Sequence, residues 1–513
     1  MGKIIQVIKT LFPSMLIICM FGLNGCTKLG PDFTTPEAKI PKEWGDTDSR
    51  LFHKPSLEES LEWWKQFNDP VLDELILIAY RENLTLQSAG LRIVEARAQL
   101  ATVKGNLYPQ SQTMSGDLFT IGSTAPAADR YYNAALVGFD VGWEMDFWGK
   151  FRRSVESADA NLLASIYDYD DVLVSLTAEV ARSYVTIRTL QERIALAQKN
   201  TELQQNTLQL VILQFEAGVV TELDVLQAKT LLSSTLATIP NLQAALSTYK
   251  NSLAVLLGKL PEEIEPDLQT GGAIPEMGSS IAMAMPAELL RRRPDVRRAE
   301  MQAAAQSAQI GISRSELFPS FTLFGSVGWS ATDIGENSLG DIFDSNSFSY
   351  SFGPAFTWNV LNYGRLKNQV RVQDARYQQT ILNYQNSVLN AAREVEDAIQ
   401  TFSRTFQEAE LVRQAVATSK KSTELSLLQY EEGLADYLRV LDSTRSLTLR
   451  EDQYAQIKGQ IATSAIGLYK AFGGGWKTYL KQPYLPAITR EQMSQRTDWG
   501  GLLPTSEKPG GEE

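Results

Sequence analysis

Apolar residues recur at every seventh position through two stretches of the chain. One series is Leu173, Val180, Ile187 and Ile194, with Leu208 further on; the other is Val388, Val395, Phe402, Ala409 and Val416. Neither 151–217 nor 365–432 contains a glycine or a proline. The spacing predicts one uninterrupted helix in each, about 100 Å long at about 1.5 Å per residue, packed against neighbours as in a coiled coil. Gly218 and Gly433 follow, where a glycine stops a helix. Amphipathic stretches resume at 221–257 and 436–471, so each long helix turns back into a hairpin with its tip at the glycine.

A second pattern has period two. Phe348, Tyr350, Phe352, Phe356 and Trp358 alternate with small or polar residues, and Phe321, Leu323, Gly325, Val327 and Trp329 do so less cleanly. Weaker counterparts lie near 110–121 and 131–143. Ten-residue alternation ending in aromatics is the signature of a transmembrane β-strand. A soluble ribbon with its aromatic face under a helix is the alternative.

The two patterns recur at a fixed offset. Trp143 to Gly149 (W-E-M-D-F-W-G) matches Trp358 to Gly364 (W-N-V-L-N-Y-G) 215 residues on, as Phe215–Gly218 matches Tyr430–Gly433. Leu107-Tyr108-Pro109 matches Leu317-Phe318-Pro319 at 210, so the second copy carries the longer loop. A two-fold internal repeat follows. The expected organisation is a leader at 1–25, an extended N-terminal segment at 26–62 and a first repeat at 63–258 with a β-hairpin at about 110–143. A linker at 259–285, a second repeat at 286–473 with a hairpin at about 319–360, and a partly disordered tail at 474–513 complete it.

Composition narrows the function. The 513 residues are 43% hydrophobic with a formal net charge of −12, which disfavours nucleic acid as a partner. One histidine, His53, and two cysteines, Cys19 and Cys26, leave little for a metal site or a histidine-based triad. No nucleophile–base set is visible, so an enzyme is not expected. Lys3 and Lys9 precede an apolar run from Leu11 to Leu23 that is short for a membrane span. It ends in Leu23-Asn24-Gly25-Cys26, which resembles a bacterial lipoprotein signal. Cys26 would then carry N-acyl and diacylglyceryl lipid and become the mature N-terminus, with no other cofactor expected; cleavage elsewhere, leaving Cys26 an ordinary thiol, is the alternative.

Four strands cannot close a barrel, for which about eight is the minimum, and open edges cannot be left in lipid. Either the strands lie outside the membrane or several chains share one barrel; three chains would supply twelve strands.

Together with Cys26-Thr-Lys-Leu-Gly-Pro31-Asp32-Phe33, Pro36, and the run from Pro286 through Arg291-Arg292-Arg293-Pro294-Asp295 to Glu300, these features resemble the TolC-type outer-membrane factors, in the lipoprotein branch of OprM and NodT-like proteins. The resemblance implies a mainly α chain with a membrane β-hairpin pair. Three copies would form a twelve-stranded β-barrel in the outer membrane above a long α-helical barrel. It further implies a passive, gated exit duct for small molecules, joined through a periplasmic adaptor to an inner-membrane, proton-driven pump.

By position, the resemblance places a periplasmic gate at Leu438 and Asp442, with Arg439 standing where some relatives carry a second acid. Asp224 matches a residue that ties neighbouring helices shut. Gly218, Val219, Gly433 and Leu434 match adaptor-docking turns. Solvated helix-surface carboxylates are the alternative for Asp224 and Asp442, and simple helix stops for the glycines. The arginine run is expected to pair with carboxylates such as Glu300. Two other functions stay open: a duct for polypeptide secretion, and a coiled-coil lipoprotein spacer without a pore.

Overall fold

The computed structural model describes residues 27–41, 44–45, 52–53, 62–122, 131–264, 268, 272–277, 281–282, 290–334, 338–475 and 484–503. The leader, Cys26 and the start of the Pro286–Glu300 run lie outside them. Two compact units emerge. One gathers 94–164 and 299–384 with the N-terminal segment up to Glu37; the other gathers 38–93, 165–298 and 385 onward.

The helices are α1 (Pro70–Glu82), α2 (Leu84–Gly105), α3 (Lys150–Glu216), α4 (Glu222–Leu256), α5 (Pro294–Ser315), α6 (Arg365–Glu431), α7 (Tyr437–Ala471) and α8 (Ala487–Arg496). α3 and α6 each run 67 residues, and α4 and α7 each run 35. Both long helices keep the expected bounds within one residue. α4 differs from α7 in carrying Pro240 inside it. None of the described helices is long and apolar enough to cross a membrane.

The first unit is built on a four-stranded antiparallel sheet in the order β2 (Ser111–Gly122), β3 (Tyr131–Met145), β5 (Ser320–Thr332), β6 (Phe348–Thr357). Its register sets Val137 opposite Trp329, Trp329 opposite Phe348, and Met114 opposite Phe139. Opposed residues share a face and alternate residues change face. One face therefore carries Met114, Leu118, Phe139, Trp143, Phe321, Trp329, Phe348, Tyr350, Phe352 and Phe356. The other carries Thr113, Ser115, Asp117, Asp140, Ser326, Ser330, Ser349 and Ser351, interrupted by Phe119, Leu136 and Phe324. Cross-strand rings meet on the apolar face, Trp329 against Phe348 at 5.4 Å. The strands β2 and β6 are the sheet's two edges.

Beneath each hairpin a tryptophan ties strand to helix. Trp143 donates its indole N–H to the Leu107 carbonyl at 3.3 Å, and Trp358 donates to Leu317 at 3.1 Å. The N-terminal segment runs extended beside α3 and α5, held by Arg153, whose side chain is 1% exposed. Its guanidinium donates to the Leu29 and Gly30 carbonyls at 2.9 and 3.0 Å and pairs with Asp32 at 3.0 Å and Glu156 at 2.8 Å. Gly30 crosses Gly311 so closely that a Cβ on Gly30 would sit 2.5 Å from the Gly311 Cα. Thr35 donates to Glu300 at 2.6 Å.

In the second unit, Trp63, Trp64 and Phe67 pack with Tyr80 and Tyr469, the Trp63 and Tyr469 rings stacking at 5.4 Å. Asp69 caps α1, accepting from the Val71 and Leu72 amides, and takes the Tyr184 hydroxyl at 2.8 Å. Buried Arg293 pairs with Asp295 at 2.8 Å and Glu394 at 2.7 Å and donates to the Ala471 carbonyl. Within the arginine run, Arg293 thus meets Asp295 and Glu394, and Glu300 accepts from Thr35. A two-residue parallel bridge joins β1 (Phe52–His53) to β4 (Ile281–Ala282). In the tail, α8 and a buried Leu485 belong to a described stretch, with Tyr484 meeting the Tyr169 ring at 5.2 Å.

Candidate functional site

The sequence places its functional residues around the two hairpin tips, and the local backbone explains their shape. At the first tip the Val219 amide bonds back to the Gln214 carbonyl at 2.8 Å and the Gly218 amide to Phe215 at 2.9 Å. At the second, Leu434 bonds to Gln429 at 2.7 Å and Gly433 to Tyr430 at 3.0 Å. This is the paired closure of a Schellman motif. It needs a left-handed residue, and Gly218 (φ +75) and Gly433 (φ +70) supply it with open space around each. Val219 is 72% and Leu434 78% exposed at the turns.

The return helices start with side-chain caps. Thr221 precedes α4, and its backbone N–H and hydroxyl both donate to Asp224 Oδ2, at 2.9 and 2.7 Å. Asp436 precedes α7 and accepts from the Arg439 amide at 3.3 Å. Asp224 therefore has a local partner, Thr221. The T-E-L-D spelling at 221–224 is the S/T-x-x-D/E capping signal that marks this role. The same 215-residue offset pairs Asp224 with Arg439.

The two hairpins share an apolar core just inside the tips. Val211, Val225 and Ala228 from the first pack with Tyr430, Tyr437, Val440 and Leu441 from the second. The Tyr430 and Tyr437 rings lie 5.8 Å apart. Burial pushes both phenols up to about 12, and the nearby Asp224 charge adds to it. Both hydroxyls stay neutral at physiological pH, and the Tyr430 hydroxyl is buried without a hydrogen-bond partner among the described residues.

Arg439 and Asp442 come together on one groove of about 550 Å³ between α6 and α7. Its walls are rich in hydroxyls, from Thr418, Ser419, Ser422, Ser426, Ser443 and Ser446. Ser426 and Ser443 hydroxyls meet at 2.6 Å and Thr423 donates to the Ser443 carbonyl at 3.0 Å, which fixes the helix pair beneath the charges. Leu438, Arg439 and Asp442 are all exposed in the single chain. Neither Asp224 nor the tip glycines line this groove. Among the described residues no cluster of His, Cys, Asp or Glu could hold a metal ion. Cys26 lies outside the described residues.

The chain is similar to known proteins along most of its length. The sequence profile described as "Outer membrane efflux protein" matches residues 75–259 and 285–474. Nodulation protein T of Rhizobium leguminosarum bv. trifolii is 30% identical over 461 residues, covering 90% of this chain and 96% of that protein. The toluene efflux pump outer membrane protein TtgF of Pseudomonas putida is 28% identical over 477 residues, covering 90% and 96%. The solved outer-membrane channel OprN superposes with a TM-score of 0.80 at 32% identity, covering 88% of this chain and 100% of that one.

Proposed function

Because the chain belongs to the outer membrane efflux protein family, we propose that three copies form a channel-tunnel through the outer membrane, the exit duct of a tripartite efflux system for small molecules. Each copy gives four strands to one twelve-stranded barrel and two helical hairpins, one per repeat, to an α-helical barrel in the periplasm. An adaptor docks on the turns at Gly218-Val219 and Gly433-Leu434, and an inner-membrane, proton-driven pump supplies the energy. Cys26 carries the lipid that anchors the mature chain.

The observation that carries this reading is the sheet, with one apolar face and two open edges, β2 and β6. Unpaired edges cost several kcal/mol per backbone group in lipid, and only strands from other copies remove them while leaving the apolar face outward. The polar face then lines a water-filled lumen.

Asp442 supports a gate. Around a three-fold axis its carboxylates would lie close enough to repel one another and attract cations. Arg439 stands three residues earlier on the same groove and offsets part of that charge. The duct itself does no chemistry.

The test is the native mass of the mature full-length protein in mild detergent, followed by conductance in a planar bilayer. Three protomers per particle and discrete conductance steps are expected. A stable monomer that forms no pores would favour the periplasmic spacer and overturn the channel.

A further inference from the structure

The two passages from sheet to long helix occupy matching places in the repeat, yet they differ in charge. The first, 143–156, is internally neutralised. Lys150 pairs with Glu144 at 3.0 Å, Arg152 with Asp146 at 3.0 Å, and Arg153 with Glu156 at 2.8 Å.

In the second, 358–371, all three acids are replaced. Asn359 stands for Glu144, Leu361 for Asp146, and Arg371 for Glu156. Two of the three cations persist, as Arg365 for Lys150 and Lys367 for Arg152, while Asn368 stands for Arg153. This passage carries Arg365, Lys367 and Arg371 and no acid. All three side chains are exposed, and among the described residues none has an ion-pair partner; Arg371 donates to the neutral Asn368 amide oxygen, at 3.0 Å. They lie in the first two turns of α6, where the helix dipole disfavours positive charge. Helix stability therefore does not account for them.

The turn before them is apolar and bare. Val360, Leu361 (86% exposed) and Tyr363 (100% exposed) follow Trp358, which continues the apolar face of β6. The counterpart of Tyr363 in the first passage, Trp148, is half-buried and donates its indole N–H to the Pro319 carbonyl at 2.8 Å. Tyr363 instead sits at φ 50, a left-handed backbone that is uncommon for such a residue.

We propose that this second passage is a docking surface for anionic glycerophospholipid of the leaflet on the helical side of the barrel. Trp358, Val360, Leu361 and Tyr363 enter the interfacial layer, and Arg365, Lys367 and Arg371 hold the phosphates. The proposal rests on the membrane reading of the sheet. Two observations carry it further: the apolar turn is continuous with the sheet's apolar face, and the unpaired charges complement a phosphate headgroup. Aromatic residues mark barrel interfaces, and each cation near an anionic surface adds to binding.

The test uses the full-length mature protein in mild detergent micelles doped with phosphatidylglycerol or phosphatidylcholine, with bound lipid counted by native mass spectrometry. The wild type should retain phosphatidylglycerol preferentially, and the preference should weaken with added salt. The triple variant Arg365→Gln, Lys367→Gln, Arg371→Gln should lose about tenfold in phosphatidylglycerol retention while keeping its native mass and helix content. The charge-preserving triple Arg365→Lys, Lys367→Arg, Arg371→Lys should retain the lipid.

Equal retention by the wild type and the glutamine triple would overturn the proposal. So would a glutamine triple that dissociates into monomers while the remaining trimers keep their lipid, since the cations would then serve contacts between copies. A wild-type trimer that inserts in vesicles without lipid preference sinks this surface alone. A wild-type monomer that stays outside vesicles sinks the channel reading with it.

Discussion

Asp224 closes on Thr221: one carboxylate oxygen takes both the backbone N–H and the hydroxyl of that residue. This pair starts the return helix of the first hairpin. Asp224→Ala should destabilise the protein by about 1 kcal/mol, as should Thr221→Ala. The double variant should lose little more than either single one, because both remove the same cap. Thermal unfolding of the four proteins checks it; full additivity would show that the two act separately.

Asp442 and Arg439 line one groove, and in the proposed gate their opposite charges would bear on a passing ion in opposite directions. Asp442→Ala should lower the preference of the open channel for cations, and Arg439→Asp should raise it. Reversal potentials across a planar bilayer under a salt gradient read both. Unchanged potentials in both variants would remove these residues from the conducting path.

The glycine at the second tip is required by backbone rather than by space. Gly433→Ala meets no neighbouring atom but must hold a left-handed φ, at a cost of about 1–2 kcal/mol. Gly433→Asn should cost less, since asparagine tolerates that region. Chemical denaturation would rank the two, and equal losses would point to a lost contact instead.

Arg153 joins the N-terminal segment to α3 through carbonyls of Leu29 and Gly30 as well as carboxylates. Arg153→Met keeps the stem and deletes those bonds, with an expected loss of about 2–3 kcal/mol. The sharper readout is limited proteolysis, in which cleavage within 27–35 should accelerate relative to cleavage at the hairpin tips. An unchanged cleavage pattern would argue against the clamp.

Asp170, on α3, has its carboxyl raised by burial from 3.8 to about 7. The folded state keeps the proton that the unfolded chain releases, so stability falls as pH rises from about 4 to about 7 and levels off above. Asp170→Asn removes that slope. The variant should match the wild type near pH 4 and exceed it by up to about 4 kcal/mol at pH 8. Parallel pH profiles for the two proteins would contradict the shift.

The long helices were legible because nothing in 151–217 or 365–432 breaks a helix, and the strand at Phe348–Thr357 because its aromatics alternate over a full span. The tips were legible from Gly218 and Gly433, which also explains their closure. The capping role of Asp224 was written in T-E-L-D, and the structure gives it Thr221 as a local partner. The Arg153 clamp and the partners of Arg293 were not legible. Burying an arginine depends on which distant carbonyls and carboxylates the fold delivers to it, and no spacing along the chain encodes that. The β1–β4 bridge is hidden for the same reason, being two residues long between segments far apart in sequence. The described part of the tail, in which Leu485 is buried, is too short to show a period.

The two open edges of the sheet bear on biogenesis. A newly exported copy with an apolar face and unpaired β2 and β6 has no resting place in water, so transit to the membrane calls for an escort that masks both. In the trimer proposed above, completion needs three copies to meet, and the assembled fraction then climbs steeply with copy number at low expression. A modest fall in synthesis would remove a disproportionate share of finished ducts.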